Sequence, residues 1–589
     1  MDSPFKLFFL KYVADLRFTL MKRDSLCFRL FAAMVCLWGL PLAGLASANV
    51  ALDGVEYALS ADGTVQVAGV SDFTVTEITV PAAVTISQIE YPVASIADGA
   101  FDGCSSLRKV TIADSETVLG LGSGFSDNGY RNGLFSACPL EEVYIGRPLD
   151  YSYAPLSEVK TLRTATVGEA VRILPEGIFA ECSALEQVSL PETLEEIPRF
   201  AFRKCGSLPS IYIPASVRKI GDAAFAQCSK LERVETGDLA AWCGIQFAYG
   251  DSNPLVAAGH LYVGGKEVTD LVIPSSVTEV RDFVFSGCHG LTSLTTGDNL
   301  VKVGKSAFLS CYGLEWADFG KSIDVVEYNA FKGCSGLERV AFHGSLKMIG
   351  TDAFKQCRSI GRVDIVDLAG WCGLSFSGES NPLCYGGHLF VNGAEVAELS
   401  IPEGVTGLGD YAFNGCAGLV SVAMPASLKE IGHRVFRDCP DLKRAKIGPG
   451  VEKIGGSVFY GCKALEELEV ENPVPPVLYE LSFTQEQYST LPVFVPLGAE
   501  PAYRSAAYWM QFEKLKERDF SSVGQPSAEA TSVVAAGGFI RIAGAGESVL
   551  KQVYNLKGQQ VYSGNGSVIS LPSGFYILVV GSERFDVVL

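Results

Sequence analysis

Apolar and polar positions along this chain recur with a period that fits neither a strand nor a helix. From Cys182 to Cys205 it reads CSALEQVSLPETLEEIPRFAFRKC, and from Cys205 to Cys228 it reads CGSLPSIYIPASVRKIGDAAFAQC. The shared unit is C-x2-L-x2-[VI]-x-[IL]-P-x2-[VL]-x2-I-[GP]-x2-[AV]-F-x2-C. Cys182, Leu185, Val188, Leu190, Pro191, Leu194, Ile197, Ala201 and Phe202 fill it once. Cys416, Leu419, Val422, Met424, Pro425, Leu428, Ile431, Val435 and Phe436 fill it again. Each offset predicts a local element. The L-x2-V-x-L stretch alternates and predicts a short strand. The proline after it lacks an N–H and ends the ladder. V-x2-I predicts a second short extended segment, glycine turns the chain, and the Ala-Phe pair lies on a single helical turn.

Twelve cysteines mark the series: Cys104, Cys138, Cys182, Cys205, Cys228, Cys288, Cys311, Cys334, Cys357, Cys416, Cys439 and Cys462, with seven of the eleven gaps equal to 23. A fixed period of about 20–29 residues with leucine at set offsets is the signature of a leucine-rich solenoid, whose coils hide their apolar side only against one another. In-register stacking places successive cysteine Cα atoms about 5 Å apart, yet their Cβ bonds run parallel, so disulfides between neighbouring coils are disfavoured. Zinc needs convergent ligands at short spacing, which one thiol per coil does not supply. The row is therefore expected to be a structural ladder of small buried hydrophobes with a weak donor.

At 48% hydrophobic and 19% charged, the 589-residue chain can bury a large core. Met21 opens a segment in which Lys22, Arg23 and Arg29 precede an apolar run ending at Ala46-Ser47-Ala48. That is the layout of a secretory signal peptide, with cleavage expected before Asn49. The run from Leu30 to Leu45 is short for a membrane span and is broken by Pro41. The whole chain has 47 Lys+Arg and 66 Asp+Glu, net −19; its first 48 residues hold six and three of these, so the remainder is near −22. Acidity of this size, without a basic cluster, excludes nucleic acid as an expected partner.

The repeat formula resembles the BspA-like, Treponema-type leucine-rich repeat family over roughly 96–470. DLAAWCGIQFAYGDSNPLVAAGHLYV (238–263) is answered by DLAGWCGLSFSGESNPLCYGGHLFV (367–391), which resembles an insertion common in that family. CPLEEVYIGRPLDYSYAPL (138–156) resembles another, and 472–515 resembles the family's closing coil. At the C-terminus, VYNLKGQQVYSGNGSVISLPSGFYILVVGSERFDVVL (553–589) resembles the small β-sandwich sorting domain of type IX secretion in Bacteroidota. Phe585-Asp586 departs from it, standing where that family usually has a lysine. The predicted fold is thus an α/β, β-rich leucine-rich repeat solenoid of short parallel strands and short helical turns, followed by a small β-sandwich. The expected domains are a leader and signal peptide (1–48), an N-terminal β cap (49–95), and repeats (96–470) with insertions at 113–160, 238–270 and 367–398. A closing repeat (471–520), a linker (521–531) and the sandwich (532–589) follow.

Candidate chemistry is sparse. The five histidines, His260, His289, His343, His388 and His433, are dispersed, and no H-E-x-x-H, G-x-S-x-G or Walker loop occurs. GLGSGFSDNG (120–129) lacks a strand-turn-helix context. GDSNP (250–254) loses its aspartate in GESNP (378–382), so it reads as an Asn-Pro turn and not a calcium loop. Cys372 and Cys384 could pair in the second insertion, but Val256 stands in the matching place of the first. On solvent-facing strand positions, Lys443, Arg444 and Lys446 precede Glu466, Glu467 and Glu469 by one period, which predicts three ion pairs. Trp316 and Arg339 are spaced for a cation–π pair, and with Tyr212 they are the candidate ligand contacts. No catalytic residue, cofactor or metal is expected. The family resemblance implies adhesion: a secreted or cell-surface monomer engaging protein or glycan ligands, with no span in the mature chain. A structural spacer in a cell-surface assembly is the other reading.

Overall fold

The structure, a computed structural model, describes residues 49–121, 134–150, 154–377 and 379–520, and within the C-terminal part 532–536, 539–543, 551–555, 559–564, 568–572, 575–580 and 583–588. The signal peptide, the 521–531 linker and most of the glycine-alternating stretch lie outside these. One compact unit takes residues up to 445 together with 450–466 and 476–485; a second takes 446–449, 467–475 and 486 onward.

In the first unit the L-x2-V-x-L stretches form parallel strands in the predicted register. Ser210 pairs with Arg233, Ser293 with Trp316, and Arg339 with Arg362. The V-x2-I segments make a second, narrower parallel sheet, as in Glu279–Val280, Lys302–Val303, Val325–Val326 and Met348–Ile349. Between the sheets, the Ala-Phe turns stack their rings. Phe285, Phe308, Phe331 and Phe354 follow one another at centroid distances of 5.1, 5.0 and 5.4 Å. Phe413, Phe436, Phe459 and Phe483 repeat this at 5.5, 5.8 and 5.4 Å. Each buried phenyl contributes on the order of 1.5–3 kcal/mol, and each stacked pair a further ~0.5–1.5. The coil is therefore held mainly by this column and the leucines around it.

The expected helical turn is not formed. Residues on either side of the Ala-Phe pair take left-handed backbone: Phe200 (φ 59°) and Lys204 (φ 61°) flank Ala201-Phe202, and Ser306 (φ 52°) and Ser310 (φ 60°) flank Ala307-Phe308. Two reversals of hand within five residues stop a helix but close the coil tightly. Glycine at the I-G turn has a separate cause, close approach: a Cβ on Gly221 would sit 2.3 Å from the backbone nitrogen of Arg199.

The insertions break the wide sheet. Leu261–Val263 pairs antiparallel with Lys266–Glu267 and ends one sheet, after which Asp270–Val272 begins another; His388–Val391 and Ala394–Glu395 repeat the arrangement before Glu398–Ser400. The N-terminal residues form a mainly antiparallel sheet from Val50–Leu52 to Ile89–Ile96.

In the second unit, Glu467–Val470, Val493–Pro496 and Leu515–Arg518 pair in parallel. Tyr503 and Trp509, both fully buried, meet edge to face at 5.1 Å. The C-terminal strands form a three-stranded sheet (Ser532–Ala536, Phe539–Ala543, Val568–Ser570) and a four-stranded one (Gln560–Gly564, Lys551–Asn555, Phe575–Val580, Glu583–Val588) around Ile540, Val553, Ile569, Leu578 and Val587.

Candidate binding surfaces

All twelve cysteines of the series are free and buried. Nine of them do something the sequence did not reveal: the thiol donates to a backbone carbonyl of the preceding coil. Cys205 Sγ lies 3.1 Å from the Phe179 oxygen, Cys334 3.1 Å from Phe308, Cys357 3.0 Å from Phe331 and Cys462 2.9 Å from Phe436. Cys138, Cys182, Cys228, Cys311 and Cys439 do the same. Most of these carbonyls also accept the N–H of their own coil's cysteine, as Phe202 does from Cys205 at 3.1 Å, so there the thiol fills the second lone pair. The exceptions are Cys104, which opens the row, and Cys288 and Cys416, which follow the insertions. Burial pushes the Cys182, Cys228 and Cys288 thiols up to about 12, the reverse of what a reactive thiolate needs. Cys372 and Cys384 are free as well.

The duplicated insertions carry a brace. In regular coils the carbonyl of the alanine before phenylalanine accepts an N–H from the coil before, as Ala201 does from Phe179 (3.0 Å). After the first insertion the matching Val284 carbonyl accepts instead from the Trp242 indole (3.1 Å) and Asn253 Nδ2 (2.9 Å). After the second, Ala412 accepts from Trp371 (2.9 Å) and Asn381 (3.0 Å). Asn253 Oδ1 also accepts the Leu255 N–H at 2.9 Å, the Asn-Pro turn read from sequence. His260 and His388 each meet a glutamate of their own hairpin, Glu267 and Glu395, at 2.6 Å. Among the described residues no cluster of His, Cys, Asp or Glu is arranged to hold a metal.

On the outward strand face, Trp316 and Arg339 stand opposite each other in register, but they do not stack. The Arg339 guanidinium turns to the next strand, its Nε 2.8 Å from Asp364, which Arg362 also grips at 2.7 Å. Burial would raise the Asp364 carboxyl, but the two arginines hold it below its ordinary value. The charged hydrogen bond to Asp364 draws the Arg339 guanidinium away from the tryptophan ring. Trp316 is thereby left 39% exposed. Tyr212 is half-buried and donates to Glu192 at 2.9 Å. Guanidinium–ring stacking occurs elsewhere, where the insertion strand supplies the aromatic: Arg233 lies 4.0 Å over Tyr262 and Arg362 3.9 Å over Phe390.

The three predicted ion pairs reduce to one. Lys443 meets Glu466 at 3.9 Å, whereas Arg444 turns to Glu398 and Lys446 to Glu471. Glu467 and Glu469 are taken by Arg518. Sequence reading also missed Arg147 of the YIGR tetrapeptide, which is fully buried and donates to the Val93 carbonyl at 2.9 Å.

Among known proteins, the BspA type leucine rich repeat region matches in six copies, over residues 82–152, 152–239, 261–379 and 386–487. A leucine-rich repeat protein of known structure from Bacteroides ovatus is 21% identical, the alignment covering 80% of this chain and 100% of that one at a TM-score of 0.35. A leucine rich cell surface protein from Faecalibacterium prausnitzii is 20% identical over 72% of this chain and 94% of its own, with a TM-score of 0.26. No curated protein matches the chain. Repeat unit, stacked parallel coils and family match agree: the chain belongs to the BspA type leucine rich repeat family.

Proposed function

We propose that this repeat protein is exported, is displayed on or released from the cell surface, and acts there as a non-catalytic, adhesin-like binder of a protein or glycan ligand. The observation that carries the reading is Trp316. Its large ring is exposed on a flat strand face, and among the described residues its indole N–H has no hydrogen-bond partner, although neighbouring charges are internally paired. Exposed tryptophan is a characteristic anchor of recognition surfaces. Capture of the purified chain on immobilised matrix proteins and glycans tests it. Trp316→Ala should lower capture by roughly tenfold or more with an unchanged fold; undiminished capture would refute the assignment of this face.

One observation favours the spacer reading. Many charges on the coils pair with neighbouring coils, for instance Arg163 with Glu186 and Lys302 with both Glu279 and Glu327. A ligand-free scaffold would show no capture by any arm of that experiment. The C-terminal module is proposed to be a sorting domain removed on export. Mass spectrometry of surface-released protein should find chains ending before Ser532, and an intact C-terminus there would contradict removal.

A further inference from the structure

A second surface, distinct from the strand face, lies along the Ala-Phe turn edge of the coils between 410 and 481. Tyr411, Arg434, Ser457 and Leu481 occupy one offset of four successive coils, all in left-handed backbone (φ 60°, 58°, 60° and 62°). Successive coils are tied by Tyr411 N–H to the His433 oxygen and Arg434 N–H to the Gly456 oxygen, both 2.9 Å. On this edge each of three tyrosine rings is held by a planar group of another coil. The Arg434 guanidinium lies 5.2 Å over Tyr411 and also donates to its hydroxyl. Arg437 lies 5.2 Å over Tyr460. The His433 ring is 5.7 Å from Tyr479, an approach across Gly455 and Gly456, which place no side chain between them. Tyr460 and Tyr479 remain 38% and 45% exposed.

The polar groups around these rings are mixed in sign and role. Arg434 has no carboxylate partner among the described residues. Arg437 shares its charge with Asp438 at 3.0 Å. Asp410 accepts the His433 N–H at 2.7 Å. His433 Nδ1 accepts from Gly456 at 2.9 Å, which leaves the proton on Nε2 as a donor. Fixed aromatic planes flanked by both donors and acceptors match a ligand whose every polar group both donates and accepts. A polyanion would meet Asp410 and Asp438 on a chain of net charge −19. A polyproline stretch would stack on the rings but has no N–H to offer the carboxylates.

We propose that this edge is a binding site for a neutral polysaccharide, its sugar rings stacking on Tyr460 and Tyr479 and its hydroxyls meeting Arg434, Arg437 and Asp438. Coils repeat at about 4.8 Å, a spacing comparable with the length of one sugar unit, so a glycan lying along the edge spans several coils and can reach groups on more than one of them. The inference rests on the binding reading above but uses different side chains. The test is affinity electrophoresis of the full chain in native gels containing galactomannan, xyloglucan or dextran, with polygalacturonate and an immobilised proline-rich peptide as comparators. At least one neutral polysaccharide should retard the chain, and Tyr460→Ala with Tyr479→Ala should weaken retardation at least tenfold while Trp316→Ala does not. If the double variant unfolds, Tyr460→Ser alone should still weaken it severalfold. No retardation by a neutral polysaccharide, equal retardation of the tyrosine variants, or preference for polygalacturonate or the peptide would overturn the proposal. Loss confined to Trp316→Ala would overturn this site and leave the binding reading standing; absence of capture by any protein or glycan would remove both.

Discussion

The cysteine thiol serves here as a hydrogen-bond donor small enough for a closed corner, and this has a consequence for pH. Thiols at Cys138, Cys182 and Cys228 are raised chiefly by burial from an ordinary 9.0 to about 12. The folded chain therefore holds these protons more tightly than the unfolded chain does. Their contribution to stability is complete below about pH 9 and is lost as pH rises toward 12. The urea unfolding midpoint should fall steadily above pH 9, with the thiols silent to a thiol reagent in the native protein at pH 8; a flat profile to pH 11 would refute the ladder. Left-handed positions supply a second expectation. Gln227 is exposed at φ 64°, where an L side chain costs roughly 1–2 kcal/mol. Gln227→Gly should raise unfolding stability by up to about 1 kcal/mol in urea titrations, since glycine's greater unfolded freedom offsets part of the gain.

The insertions show how a strand or turn can be replaced without leaving its neighbour unsatisfied. Trp242 and Asn253 both donate to the Val284 carbonyl, in place of the N–H that a regular coil would bring. Because they share an acceptor, removing one leaves the other in place. Trp242→Phe and Asn253→Ala should therefore be strongly coupled in a double-mutant cycle, the second removal costing about 1–3 kcal/mol more for an orphaned buried carbonyl. Additive costs from thermal unfolding would show that the shared acceptor does not matter. Trp242 and Trp371 were legible as recurring residues of a recurring insertion. Their partners were not, because Val284 and Ala412 lie 42 and 41 residues further along and contribute a carbonyl that carries no sequence signal.

For the first unit taken entire, the coil is the unit of exchange. Removal of residues 312–334, one full period, should leave the phenylalanine and thiol columns continuous, and circular dichroism should report a folded, still cooperative chain. Removal of 22 residues should instead lower the thermal midpoint, because the one coil at the junction would then be a residue too long and its apolar positions displaced, while the other coils keep their register. The 23-residue spacing, the apolar offsets and the prolines were enough, from sequence alone, to determine a stacked parallel coil with buried cysteines, since each of those residue types has one mechanical use at its offset. Tertiary structure alone decided where the polar side chains went. Arg339 faces Trp316 in register yet bonds Asp364, and Lys446 passes over Glu469 for Glu471. Long cations reach several carboxylates at nearly equal sequence distance, and the choice falls to whichever geometry gives the shorter charged hydrogen bond. It also decided that Phe200, Phe283 and Tyr411 adopt a hand usually reserved for glycine, because closing the coil and stacking its rings outweighs the local cost of about 1–2 kcal/mol at each.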